Sequence, residues 1–157
     1  MGLFRGACTR HDVAVAADVE AVRALVVAYA ERLDAGDLDG VAALFEDAVL
    51  RPARSGGSLV GAAAARRLYD PVIRYEDGTP RTQHTLGNLE VRVDAGGNHA
   101  ASRCAFTVWQ ARPDGGLGPV LTGRYEDRFA RVGGRWRFTE RVVTPELLGD
   151  LSDHMRR

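Results

Sequence analysis

Two residues in this 157-residue chain, the carboxylate Asp34 and the imidazole His84, are of types that can act together as one chemical unit. Asp34 follows Ala30 by four residues and Val26 by eight, which places it beside the apolar stripe of a helical pattern. At the end of that pattern it faces the negative pole of the helix macrodipole, a local cost of about 0.3–1 kcal/mol. Taken alone, it reads as a solvated turn aspartate. His84 lies in Arg81-Thr82-Gln83-His84-Thr85 on the strand phase assigned to the interior, and taken alone it reads as a satisfied core histidine. Joined, the two have a use. A carboxylate bonded to one imidazole nitrogen fixes the tautomer and raises the basicity of the other nitrogen, which makes a general base.

Positioning such a pair requires a helix end to meet a strand. From about Ala17 the residues Val19, Val22, Leu25, Val26, Tyr29, Ala30 and Leu33 recur at helical spacing. Ala35-Gly36-Asp37 then stops one helix and starts another, with Gly36 suited to a left-handed position and Asp37 to an N-cap. A short helix carrying Leu38, Val41, Leu44 and Phe45 follows, then a strand near 48–53 and an alanine-rich helix over Gly61–Tyr69. After Pro71 the period changes to two. Strands are predicted at Thr82–Val93, Ala100–Ala111, Val120–Arg131 and Arg135–Val143, separated by glycine-containing turns. The apolar phase of the first of these slips near Gly87-Asn88, as at a β-bulge. Helices first and antiparallel strands afterwards imply an α+β fold, its curved sheet wrapped around three N-terminal helices with a cavity between them.

Bulk composition narrows the function classes. The length suits one domain, and we place it at residues 15–147, with an N-terminal extension at 1–14 and a C-terminal tail at 148–157. The formal net charge is zero, which removes the main electrostatic reason to expect a nucleic acid or anionic membrane as partner. All 21 basic residues are arginine, so lysine Schiff-base chemistry is excluded. Cys8 and Cys104 form no CxxC motif and are expected as reduced thiols in a cytoplasmic protein. The four histidines have no ligand-like spacing, and no GxGxxG, P-loop or GxSxG motif is present. Neither a metal nor a cofactor is expected.

The stretch Tyr29-Ala30-Glu31-Arg32-Leu33-Asp34-Ala35-Gly36-Asp37, with Leu44-Phe45-Glu46-Asp47 after it, resembles the opening of SnoaL-like proteins of the nuclear transport factor 2-like superfamily. Gly123-Arg124-Tyr125-Glu126-Asp127-Arg128-Phe129 and Gly134-Arg135-Trp136-Arg137-Phe138 resemble the last hairpin of the same family. The resemblance spans about Val19 to Val143 and implies a cone-shaped barrel. Within it, Arg81-Thr82-Gln83-His84 is similar to the strand that carries the catalytic histidine of scytalone dehydratase. Asp34 falls where that enzyme and hexachlorocyclohexane dehydrochlorinase place the paired aspartate. Arg141 falls where the dehydrochlorinase has an active-site arginine. Three positions depart from these patterns. Trp109 stands where scytalone dehydratase has its second histidine, Leu33 replaces its helix tyrosine, and the dehydrochlorinase lysine falls near Tyr29.

Further candidates are ambiguous by position. Tyr29 faces the apolar side of the first helix, as a core ring or as a hydroxyl reaching the cavity. Trp109 shares the phase of Thr107 and Ala105, which fits an outer or interface position as well as a pocket wall. Arg141 alternates with Thr139 and Val143, opposite to Trp136 and Phe138, so local alternation exposes it and only the resemblance brings it inside. Asn88 and Arg103 are further cavity candidates. The expected function is a cofactor-independent dehydratase, cyclase or isomerase. Its substrate would be a small, largely apolar molecule of aromatic or polyketide type, with Asp34, His84 and Arg141 catalytic and Tyr29, Asn88, Arg103 and Trp109 binding. The other reading is a ligand-binding or assembly module without catalysis. Under either, a homodimer or higher homo-oligomer through the outer sheet face is expected.

Overall fold

The computed structural model describes residues 9–54 and 56–156. Its first element, α1 (Arg10–Asp34), begins well before the apolar repeat does. Capping sets that start: the Thr9 hydroxyl accepts from the Asp12 backbone N–H, and the Asp12 carboxylate accepts from the Thr9 N–H. Residues 10–17 are all exposed, so no apolar periodicity marks them. Farther along, Val22, Val26, Tyr29 and Leu33 form the buried stripe. Residues 1–8 of the expected extension, Cys8 among them, lie outside the described residues. Cys104 is a free, buried thiol, and burial pushes its pKa up to about 11.

Gly36 ends α1 at φ 73° and Asp37 caps α2 (Leu38–Ala43), its carboxylate accepting from the Gly40 N–H. Two short strands, β1 (Val49–Pro52) and β2 (Leu59–Val60), precede α3 (Ala62–Leu68). Four long strands then complete the sheet: β3 (Thr82–Val93), β4 (His99–Ala111), β5 (Leu117–Val132) and β6 (Arg135–Leu148). Their order is β2-β1-β6-β5-β4-β3, antiparallel throughout except for the parallel pair β1 and β6. The protein is therefore α+β with a curved mixed sheet. The sheet does not close, since β2 and β3 are its two edges.

Register shifts supply the curvature, because each extra residue bends its strand. One lies between Gly87 and Glu90 of β3, with Asn88 at φ 54°, where the slip in apolar phase predicts it. Others lie between Thr122 and Gly123 and between Arg128 and Phe129 of β5. β6 runs past Val143 through Pro145, beyond the reach of a simple alternation. Along β6, β1 covers only residues 140–143, so Pro145 sits where β6 has no partner on that side and a missing N–H is tolerated. The core fills the concave side, where Phe45 stacks on Phe138 at 5.2 Å and Phe138 meets Phe129 at 4.7 Å.

After β6 the chain folds back. Met155 bridges to Val72, the Ile73 N–H donates to His154 O at 3.0 Å, and the Arg156 N–H donates to Pro71 O at 2.7 Å. No helix among the described residues is long and apolar enough to cross a membrane.

The end of α1 packs tightly on the turn before β3. A Cβ on Gly36 would stand 2.3 Å from Gly78 O, and the positive φ already disfavours a side chain there. Gly36→Ala is expected to destabilise the protein by about 1–3 kcal/mol in urea unfolding. A loss within experimental error would mean the turn gives way freely.

Candidate active site

Asp34 is the last residue of α1, and β3 begins directly over it. The carboxylate accepts three bonds from that strand: Thr82 Oγ1 at 2.8 Å, the His84 backbone N–H at 2.7 Å and His84 Nδ1 at 2.6 Å. Partial burial disfavours the carboxylate, but the His84 and Thr82 bonds outweigh it and hold Asp34 below its ordinary value of 3.8. These donors also offset the unfavourable helix end. With Nδ1 engaged, Nε2 is the free nitrogen of a ring that is only 7% exposed.

His84 opens on a cavity of about 240 Å3. Leu33, Val108, Leu121, Val143 and the Phe106 ring give it apolar walls, while Tyr29, Tyr69 and Tyr125 bring hydroxyls. Phe106 stacks on Tyr125 at 4.2 Å, and the Tyr29 and Tyr69 hydroxyls are hydrogen-bonded at 2.8 Å. Burial raises the pKa of all three tyrosines, so they remain protonated donors at neutral pH. Arg54 is the one arginine on the lining, and it is exposed.

Arg141 is interior, and the alternation argument for exposing it fails. Arg128 of β5 pairs with Glu140 while the next residue, Phe129, pairs with Phe138, so β6 slips by one residue at Thr139. That bulge turns Arg141 inward, where it is wholly buried. It does not line the cavity. Its Nε and Nη2 donate to the two Asp127 oxygens at 2.7 and 2.8 Å, and Ser102 Oγ donates to the same carboxylate at 3.0 Å. The guanidinium lies 4.0 Å from the Tyr29 ring centre and 4.3 Å from that of Tyr125. Arg141 therefore stands behind the tyrosine wall, and its charge acts on those rings.

Three other sequence candidates lie away from the cavity. Trp109 is 38% exposed on the outer face, in phase with Thr107 and Ala105. Asn88 is exposed in the β3 bulge. Arg103 is exposed beside a separate groove of about 380 Å3, where it pairs with Glu90 at 2.7 Å. Strand alternation and the bulge explain all three: the side chains that share a face with His84 belong to neighbours such as Phe106 and Val108.

The structure also brings in residues that the sequence reading passes over. Tyr69 arrives at the C-cap of α3, forty positions from its partner Tyr29. Asp127 carries the counter-charge for Arg141. His154, on the returning C-terminal segment, lines the same cavity as His84. No cluster of three or more histidine, cysteine, aspartate or glutamate side chains suited to a metal ion occurs among the described residues. What the arrangement can do is move a proton: an oriented imidazole faces an apolar space with hydroxyl donors in its walls.

Residues 14–142 match the family model of the SnoaL-like domain. No curated protein matches the chain. Among solved structures, a protein of unknown function from Mycobacterium tuberculosis is similar at 26% identity and a TM-score of 0.72, covering 91% of this chain and 79% of that one. A candidate aromatic ring hydroxylase from Novosphingobium aromaticivorans has 26% identity and a TM-score of 0.67, covering 88% and 96%. A candidate scytalone dehydratase from the same organism has 22% identity and a TM-score of 0.69, covering 88% and 90%, a level that speaks for the fold alone.

Proposed function

Since this chain belongs to the SnoaL-like domain family, we propose that it is a dehydratase, cyclase or isomerase in which His84, held by Asp34, is the general base. The observation that carries this reading is the 2.6 Å bond from Asp34 to His84 Nδ1, at the wall of a largely apolar cavity. The substrate is a small molecule with a ring-sized apolar body, in keeping with a cavity walled by Phe106 and three tyrosines. A structural relative described as an aromatic ring hydroxylase supports the same class.

His84 Nε2 takes a proton from a carbon next to a carbonyl, and the C–H electron pair moves into an enolate. The Tyr29–Tyr69 hydroxyl pair donates to the developing oxyanion. Arg141, one layer behind, favours the negative charge through the Tyr29 ring without touching the substrate. In a dehydration, the proton on His84 passes to a neighbouring hydroxyl, which departs as water as the double bond forms. In an isomerisation the same proton returns at another carbon. Either way His84 ends in its starting state.

The test needs no knowledge of the natural substrate. β-Tetralone, a two-ring ketone with acidic C–H bonds, should exchange its α-protons with deuterated water faster in the presence of the protein. Asp34→Asn should reduce that acceleration by about a hundredfold, because the amide neither orients nor charges the ring as the carboxylate does. A ligand that binds with no exchange in the native protein would instead identify a binding module.

The same carboxylate has a signature in stability. Asp34 lies below its unfolded value when folded, so its contribution is fully present above pH 3.8 and fades as pH falls through the folded value. Acid unfolding of Asp34→Asn should consequently show a shallower pH dependence below pH 3.8 than that of the native protein.

A further inference from the structure

His154 enters the cavity from a segment that is firmly placed. Its backbone O accepts from the Ile73 N–H at 3.0 Å, and its own N–H donates to Leu151 O at 3.0 Å. The preceding carbonyl, Asp153 O, accepts from Gln110 Nε2 at 3.0 Å and from the Tyr75 hydroxyl at 2.8 Å. Gln110 is itself buried and also donates to Pro80 O. The segment is thus pinned to β4 and to the stretch before β3, and the imidazole is delivered to a fixed place.

The ring itself has no such anchorage. His154 is 8% exposed, its Nδ1 is buried, and among the described residues no side-chain hydrogen bond satisfies it. A buried imidazole nitrogen with no partner is an uncompensated desolvation, and buried polar groups are almost always satisfied. The residue lines the cavity that His84 also lines. Nδ1 is shut off from that cavity as well, so an oxygen on a bound molecule would meet the ring through its other nitrogen, Nε2.

We propose that His154 is a second working imidazole of this cavity, hydrogen-bonded to an oxygen on the bound molecule, so that the ligand is a ring carrying two oxygen functions. It rests on reading the cavity as the ligand site. One oxygen is met by His84 and the tyrosine hydroxyls, the other by His154. Burial lowers the His154 pKa from its ordinary 6.5, and the nearby His84 acts in the same direction. It is therefore neutral at physiological pH, and a neutral nitrogen suits a phenol or carbonyl better than an anion.

Simple rings separate the two oxygens. Benzene, phenol, catechol, resorcinol and hydroquinone are titrated into the full chain, with histidine ring nitrogens followed by 15N NMR. We expect phenol to bind more tightly than benzene, and the best of the three diols to bind about tenfold more tightly than phenol. His154→Phe, which keeps the volume, should abolish the gain from the second hydroxyl and leave the gain from the first. His154→Asn, which keeps a donor, should restore part of it. In the native protein the His154 nitrogen signals should move with the diol and stay in place with benzene, a readout that does not depend on how the variants fold. A diol preference that survives His154→Phe, or His154 signals indifferent to the diol, overturns the proposal while leaving His84 as the base. Failure of every ring to bind the native protein removes the cavity reading itself.

Discussion

His84→Ala is expected to lower the β-tetralone exchange rate by at least about a hundredfold while the protein still melts cooperatively. General-base contributions of this kind run from about a hundredfold to ten-thousandfold. The fold should survive because the other two donors to Asp34, the Thr82 hydroxyl and the backbone N–H of residue 84, remain. The alanine leaves space beside Phe106, whose ring centre lies 6.4 Å from that of His84, and a modest drop in stability accompanies it. Exogenous imidazole diffusing into that space should recover part of the exchange. Near-native exchange in folded His84→Ala protein would take the dyad out of the chemistry.

The second large effect concerns stability. Asp127→Ala should cost about 3–5 kcal/mol, because it strands the Arg141 guanidinium in the interior without a counter-charge. Both side chains are 0% exposed, and the pair is bidentate. Burial disfavours the Arg141 charge, but Asp127 more than compensates and raises its pKa. For a chain of this size the loss corresponds to a fall in Tm on the order of 10 °C. Replacing both partners, as in Asp127→Leu with Arg141→Met, should recover most of it, since buried pairs break roughly even against apolar packing. Calorimetric melting of the single and double variants checks this. A single variant that loses under about 1 kcal/mol would show that water or rearrangement relieves the charge.

The fold is largely legible in the sequence because its elements repeat at their own periods. Val22, Val26, Tyr29 and Leu33 carry the 3.6-residue stripe of α1, and the phase slip at Gly87-Asn88 marks a bulge that the register bears out. The site is less legible. Asp34 and His84 lie fifty positions apart, and neither is unusual until the turn at Gly36 and the start of β3 bring them together. Arg141 is hidden by the bulge at Thr139, where Phe138-Thr139-Glu140-Arg141 contains no glycine or proline to announce a slip. Trp109, Asn88 and Arg103 fall on the outer face or in the bulge because alternation fixes their side, whatever their chemistry. Tyr69 and His154 depend on contacts across the whole chain, and no local pattern encodes those.

The tyrosine wall has an optical consequence. Three of the four tyrosines, Tyr29, Tyr69 and Tyr125, line the cavity, whereas neither tryptophan does. Trp136 instead bonds to Asp18 on α1, and Trp109 lies on the outer face. A molecule entering the cavity will therefore perturb the near-ultraviolet absorption of the tyrosines while tryptophan emission stays constant. Loss of the α1 contact will change tryptophan emission through Trp136. Occupancy and unfolding thus have separate intrinsic chromophores, and both can be followed in one unlabelled sample.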